Sequence, residues 1–189
     1  MRIWALILAI ALLSVLPLEA ATGPRIRNLN VGKKNEEIFV SFELIKGFNA
    51  TIKRDIQDGI EKDFYYYVVL NQKHKNWFYE EVAEKTIRYQ VKYDTLTRVY
   101  AVRRFEGAHS AVYQFDSQNE MESFVARGEK IRLTPITRLK KNHRYSVWVK
   151  AQMKAAQVPL HLDRLLFFVP FLDLDTPWNK SESLYADPH

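Results

Sequence analysis

The sequence contains no cysteine, only six glycines, and five histidines scattered over its 189 residues. Without cysteine there can be no disulfide, no thiol catalysis, no thiolate metal site and no lipid-modified cysteine. The histidines lie at no metal-ligand spacing from one another, so we expect neither a metal nor any other cofactor. There is no glycine-rich phosphate loop, no G-x-S-x-G motif and no supported Ser-His-Asp arrangement. The sequence therefore predicts a protein without enzymatic activity.

Long apolar runs are also scarce, and the main one lies at the N-terminus. Arg2 precedes a mainly apolar stretch from Ile3 to Leu18, which small residues follow. This is the layout of a secretory signal peptide over residues 1–20, cleaved after Ala20. The stretch is shorter than the roughly 20 residues that a membrane-spanning helix needs, and an uncleaved N-terminal anchor is the alternative. In both cases we expect an exported protein, in the periplasm or on the outer face of the inner membrane.

The chain has an excess of basic residues, with a formal net charge of +6 and a hydrophobic content of 47%. An exported protein does not meet nucleic acid, so we expect no nucleic-acid partner. A basic surface in that compartment suits anionic lipid headgroups, acidic glycans or an acidic protein surface. The alternative is a solvated basic face that only aids solubility.

Alternating strand patterns dominate residues 24–178. EEIFVSFEL (36–44), TIRYQVKY (86–93) and RYSVWVKAQM (144–153) each place their apolar residues on one face. DFYYYVVL (63–70) is apolar or aromatic on both faces, which predicts a strand covered on both sides. Strands spaced at roughly 8 to 12 residues, in a chain without long helices, predict a single immunoglobulin-like antiparallel β-sandwich.

Two short helices are predicted to interrupt the strands. SQNEMESFVARG (117–128) begins with a capping box of Ser117 and Glu120, and we expect it to end at Gly128. NATIKRDIQDG (49–59) has a capping asparagine at its start and a glycine at its end. The polar segment 179–189 is predicted to be a flexible tail.

The stretch LLFFVPFLDLDTPW (165–178) is the most apolar one outside the N-terminus. It is too short for a bilayer span and is broken by Pro170, so we interpret it as the closing segment of the core. Trp178 is expected to fold back and close the sandwich. Asp173 and Asp175 would point to the same side of an extended segment, and a carboxylate pair can do acid–base work.

Basic residues cluster at three places, and at one of them they run into aromatic residues. KHKNWFY (73–79) places rings beside cations, which suits glycans or membrane headgroups; in the alternative, Phe78 packs inward and its neighbours shield the sheet edge. The strongest basic features are the pair Arg103-Arg104 and the run Arg138, Lys140, Lys141, His143 and Arg144. We predict that the binding surface consists of Trp77, Tyr79, Arg103, Arg104, Lys140, Lys141 and Arg144.

Three segments of the C-terminal third resemble a known family. They are LKKNHRYSVWVKA (139–151), VPL (158–160) and DTPW (175–178). They are similar to the corresponding segments of an uncharacterised bacterial family, domain of unknown function 4390, although Val158 stands where leucine is more usual. The resemblance covers most of residues 24–178 and implies an exported protein with an envelope-associated or signalling-accessory role, because members are often encoded near a membrane sensor kinase. It carries over no activity and no catalytic residue.

These observations predict an exported, non-enzymatic binding module of the bacterial cell envelope. Its expected partner is a membrane or periplasmic protein, for which the resemblance suggests a sensor kinase, or the anionic envelope surface itself. A periplasmic carrier of a lipid or another small apolar or anionic ligand is the alternative. An envelope hydrolase that uses the aspartate pair is the third interpretation.

Overall fold

The structure, a computed structural model, describes residues 23–75, 78–155 and 172–185. The elements in chain order are β1 (Arg25–Lys34), β2 (Glu37–Ile45), α1 (Ala50–Gln57), β3 (Lys62–Lys73), β4 (Tyr79–Asp94), β5 (Val99–Glu106), β6 (His109–Phe115), α2 (Gln118–Ala126), β7 (Arg127–Pro135), a 3-10 turn (Ile136–Arg138), β8 (Arg144–Ala155), β9 (Leu172–Asp175), β10 (Asn179–Lys180) and β11 (Leu184–Tyr185). Residues 1–22, which hold the predicted export signal, lie outside the described part.

The strands form two antiparallel sheets that share one core. The small sheet has the order β1-β2-β7, and the large sheet has the order β10-β8-β3-β4-β5-β6, with β9 and β11 also paired to β8. The inner faces meet at rings such as Phe42 on β2 and Tyr66 on β3, whose centroids lie 5.1 Å apart. The prediction of a mainly antiparallel β-sandwich with two short helices is therefore confirmed.

Strand β3 occupies the centre of the large sheet, between β4 and β8. Its inward side chains Phe64 and Tyr66 are almost completely buried. On the other face, Tyr65 and Tyr67 are half-buried and stack with their ring centroids 6.4 Å apart. An aromatic outer face explains why the sequence of this strand does not alternate with polar residues.

Both helices begin at the predicted caps. The Asn49 side-chain oxygen accepts from the amide of Ile52 at 2.9 Å, and the Ser117 hydroxyl accepts from the amide of Glu120 at 3.3 Å. Gly128 does not end the second helix, because α2 stops at Ala126 and the chain passes directly into β7.

Gly128 has a packing role in β7. It pairs with Phe42, and a Cβ atom added there would lie 2.4 Å from the Phe42 ring. The tight approach of β7 to β2 thus requires a residue without a side chain at this position.

The C-terminal strands differ from the flexible tail that the sequence predicts for 179–189. Over residues 179–185 the chain adds β10 and β11 to β8, and the Ser181 hydroxyl accepts from the amide of Val147 at 3.0 Å. The Lys33 ammonium also donates to the carbonyl of Tyr185 at 2.7 Å. Hydrogen bonds that link the segment's backbone and the Ser181 hydroxyl to backbone groups of β8 order a segment that has few apolar residues of its own.

The predicted closing segment is described only from residue 172 onward, since 156–171 lie outside the described residues. Leu174 on β9 is buried in the core and pairs with Met153. Trp178 is 45% exposed, so the prediction that it closes the sandwich is wrong. Pro24, near the start of the described chain, lies with Phe48 and Leu174 around one shallow pocket.

None of the helices in the described residues has the length and apolar character needed to cross a membrane.

Candidate docking surface

Two loops meet at one end of the large sheet. Lys73, at the end of β3, pairs with Tyr79 of β4 on one side and with Arg144 of β8 on the other. Because β3 lies between these strands, the loop that precedes β4 and the loop that precedes β8 emerge together. We call the cations and rings gathered there the basic end. Its members are Lys73, Lys75, Phe78, Tyr79, Lys140, Lys141, Arg144 and Lys180.

A β-bulge decides which face of the sheet Tyr79 occupies. The β3–β4 register shifts between Leu70 and Asn71, and Val82 is left as an extra residue. One extra residue moves the side chains beyond it to the opposite face of the strand. Tyr79 consequently lies on the outer face, where its ring meets that of Trp148 at a centroid distance of 5.1 Å.

Lys180 of β10 joins this aromatic pair. Its ammonium donates to the Tyr79 hydroxyl at 2.6 Å and lies 4.5 Å from the Tyr79 ring centroid and 5.5 Å from that of Trp148. The hydrogen bond from Lys180, helped by its charge and that of Lys73, holds the pKa of the Tyr79 phenol below its ordinary value. A cation between two ring faces is a favourable cation–π arrangement.

Tyr145 fixes the loop that precedes β8. Its hydroxyl accepts from the amide of Lys140 at 2.8 Å and donates to the side-chain oxygen of Gln72 at 3.3 Å. The ring is buried in the core, and burial raises the pKa of its phenol. Because the loop is tied to the core at Lys140, the side chains of Lys140 and Lys141 are held at the surface, where both residues are exposed. Arg144 follows, with its guanidinium carbon 5.3 Å from the Tyr185 ring centroid.

An open pocket of about 1030 Å³ lies between the two loops. The described residues that line it are basic, polar or aromatic, and none is acidic: Lys73, His74, Lys75, Phe78, Asn142, His143 and Arg144. Phe78 is 73% exposed, so the alternative in which it packs inward is wrong. Glu80 contacts the pocket through His74, with 2.8 Å between Nε2 and the carboxylate, and this hydrogen bond lowers the pKa of Glu80.

The cations of the basic end form no ion pair with an acid of the described residues, although the charge of Lys140 adds to the His74 hydrogen bond in lowering the pKa of Glu80. Among the described residues, no carboxylate lies within 4.0 Å of any of its lysines or of Arg144. Some cations elsewhere on the sandwich have such partners, for example Lys53 with Glu122 at 2.7 Å and Lys150 with Asp175 at 2.8 Å. Others, such as Arg27 and Arg103, have none within 4.0 Å among the described residues, so the basic end differs by the clustering of its cations. The positive charge of the basic end is therefore left for a ligand or for solvent.

Arg103 and Arg104 are far from the basic end. Arg103 pairs with Gln90, and Gln90 pairs with Asp63 at the opposite end of β3 from Lys73. Ten residues of strand separate these two levels of the sheet, which is about 30 Å at roughly 3.3 Å per residue. The two arginines, being consecutive, also point to opposite faces. The predicted surface thus divides into two regions.

Arg104 is part of the fold. Its guanidinium lies 2.6 Å from a carboxylate oxygen of Glu106 and 5.9 Å from the Tyr89 ring centroid, on the inner face. Together with Phe124 and Arg127 it lines a pocket of about 320 Å³ between β5 and α2. Its Nε atom is buried there without a hydrogen-bond partner.

The structure places the other predicted residues as follows. Tyr79, Lys140, Lys141 and Arg144 come together at the basic end, whereas Trp77 lies outside the described residues. Sequence analysis missed Lys180, Trp148 and Tyr185, because no local signal connects the polar C-terminal segment with β8. Asp175 pairs with Lys150, and the described residues contain no group of three His, Asp or Glu side chains suited to a metal ion.

Residues 21–182 match the family described as Domain of unknown function (DUF4390). The chain belongs to this family. The resemblance predicted from the C-terminal segments is thereby confirmed, and the DUF4390 match includes both loops of the basic end. No curated protein and no solved structure matches the chain.

Proposed function

We propose that this DUF4390 protein is an exported, non-enzymatic binding module of the bacterial cell envelope, which docks through its basic end on an acidic surface there. The observation that carries the proposal is the gathering of cations around an exposed phenylalanine and a pocket, where the described residues supply no ion-pair partner for the cations and no acidic side chain to the pocket lining. Such a patch attracts anionic surfaces over several ångströms and gives them a place to bind.

A face that only aids solubility would not need its basic side chains to be held in fixed positions. The loop before β8 is tied to the core by Tyr145, and a bulge turns Tyr79 toward Lys180. A surface that is ordered before binding loses less conformational entropy when it binds. The ordering of cations and rings therefore favours recognition over solvation.

Two acidic targets are present in the proposed compartment. One is the exposed domain of a membrane or periplasmic protein, for which the family resemblance suggests a sensor kinase. The other is the anionic surface of the membrane itself. Both would engage the same cations, and both would weaken as salt screens the charges.

The proposal is tested by binding of the full chain to isolated bacterial membranes. The variant K140Q/K141Q/R144Q removes three charges from the basic end. Its matched control, R27Q/K92Q/R103Q, removes three exposed charges elsewhere. Because the apolar N-terminal segment can bind membranes regardless of charge, the quantity compared is the part of the binding that high salt removes. We expect this part to be about a hundredfold weaker in the first variant, at about 1 kcal/mol per basic residue, and nearly unchanged in the control. Equal binding by all three proteins would contradict the proposal.

A second candidate function is supported by the pocket at Arg104. Its volume of about 320 Å³ falls in the range of small-ligand sites, and it combines the rings of Tyr89 and Phe124 with two arginines and one acid, Glu129. A small anionic ligand with an apolar part would suit it, which is the carrier alternative. Native mass spectrometry of the purified protein and of the R104M variant would test it, since a carried ligand should appear only with the parent protein.

A further inference from the structure

We infer that the acidic surface bound by the basic end is the headgroup layer of an anionic phospholipid bilayer, with a headgroup phosphate in the pocket between the two loops and Phe78 in the interface. This inference rests on the proposed function and names its target. An acidic protein surface is the competing outcome of the test.

The first argument is the donor set of the pocket. Lys73, Lys75 and Arg144 supply charged N–H groups, and Asn142 supplies an amide, while no described lining residue is acidic. Phosphate oxygens only accept hydrogen bonds, and charged N–H donors to phosphate are among the strongest such bonds. A wide, open pocket of this kind suits a headgroup that arrives on a surface.

The second argument is Phe78, which distinguishes a bilayer from an acidic protein. The ring is 73% exposed and lies among cations. An acidic protein surface would accommodate it only with a matching apolar cavity. The interface of a bilayer accepts any exposed ring, because apolar surface lies directly beneath the charged headgroups.

The third argument is the second row of rings behind Phe78. Tyr79 and Trp148 lie on the outer face with the Lys180 ammonium between them. Amphipathic rings and lysines of this kind are enriched at the level of the headgroups, where one side is wet and the other apolar. Phe78 would thus enter the apolar layer, while the pocket and the row of Tyr79, Trp148 and Lys180 would lie at the level of the headgroups.

The absence of cysteine makes a local test possible. A single cysteine, F78C, carries an apolar, polarity-sensitive dye in place of the ring, and T95C carries the same dye in an exposed turn at the opposite end of the sheet. A local signal is needed because the apolar N-terminal segment of the full chain can bind vesicles of any charge. The probes are vesicles of phosphatidylglycerol with phosphatidylethanolamine and vesicles of phosphatidylcholine alone.

We expect the dye at position 78 to shift to the blue on the anionic vesicles only, and the dye at position 95 to stay unchanged. Adding K140Q/K141Q/R144Q to F78C should raise the lipid concentration at half-shift about a hundredfold, and adding R27Q/K92Q/R103Q should raise it by about threefold or less.

Two results would overturn the inference. If isolated membranes bind the protein through the basic end but pure lipid leaves the dye at position 78 unshifted, the target is an acidic protein, and the proposed function stands without this inference. If inorganic phosphate alone changes the dye signal at position 78 and vesicles do not, the pocket takes a free anion. If the parent protein does not bind isolated membranes at all, the proposed function itself is contradicted.

Discussion

Arg104 and Lys141 were assigned to one surface by the sequence, and the structure gives them opposite surroundings. Arg104 lies on β5, next to the edge strand β6, where it is paired with Glu106 and packed over Tyr89. Lys141 lies in a loop at the sheet end, without an acidic neighbour among the described residues. A cation inside a sheet needs a compensating partner, whereas a cation on a loop can be left for recognition. The same charge therefore contributes to stability in one region and, under the proposed function, to binding in the other.

The largest effect on stability is expected at Arg104. Replacing it in R104M breaks the pair with Glu106, and we expect the free energy of unfolding to fall by about 1 to 2 kcal/mol, because both side chains are about three-quarters buried. The matched variant K141M should change that free energy by less than about 0.5 kcal/mol. Denaturant unfolding of both variants measures the difference. Similar losses of unfolding free energy in R104M and K141M would contradict the assignment of Arg104 to the fold and of Lys141 to an exposed loop.

The same pair predicts a pH dependence. Burial raises the pKa of Glu106, but the hydrogen bond and charge of Lys85 and the charge of Arg104 outweigh burial and hold that pKa below its ordinary value. A carboxylate with a lowered pKa stabilises the fold above its unfolded pKa of about 4.3, and this contribution is lost as the pH falls through the folded pKa. Stability of the parent protein should thus decline more steeply below about pH 4.3 than that of R104M. Parallel pH profiles of the unfolding free energy would contradict this assignment.

A smaller effect on stability is expected at Tyr145, a buried residue whose hydroxyl also holds the loop that carries Lys140. Y145F removes the hydroxyl that accepts from the Lys140 amide, at a cost of about 1 kcal/mol in unfolding free energy. Because the loop is then less ordered, membrane binding should weaken by roughly threefold. Y185F is the control, since it keeps the ring beside Arg144. Unchanged binding in Y145F would show that the tie to the core does not order the docking loop.

The smallest effect on stability is expected at Lys180, and the quantity to measure there is the pKa of the Tyr79 phenol. K180M removes the donor to the Tyr79 hydroxyl, so the pKa of that phenol should rise toward its ordinary value. Spectrophotometric titration of the tyrosines measures the shift, with a Y79F variant to assign it. A titration curve identical to that of the parent protein would mean that the contact between Lys180 and Tyr79 is not formed in solution.

Local patterns predicted the fold well because they act over a few residues. The alternation of Ile38, Val40 and Phe42 and the caps at Asn49 and Ser117 depend only on near neighbours. The prediction failed at Gly128, where the deciding neighbour is Phe42, more than eighty positions earlier in the chain.

The candidate site depends on pairings that no local pattern contains. Lys73 and Arg144 are neighbours only because β3 pairs with β8, and Tyr79 faces Trp148 only because Val82 forms a bulge. The sequence therefore identified the basic residues but could not tell that Arg103 would be separated from them. The polar segment that supplies Lys180 was predicted to be a tail for the same reason.

The position of Pro24 shows at which end of the sandwich the preceding segment joins it. Pro24 lies beside Leu174, which pairs with Met153, and nine residues of β8 separate Met153 from Arg144. At roughly 3.3 Å per residue, the segment that precedes the sandwich joins it about 30 Å from the basic end. Docking of the basic end on a membrane, as we propose, would therefore require that the preceding segment does not hold the opposite end of the sandwich against that same membrane.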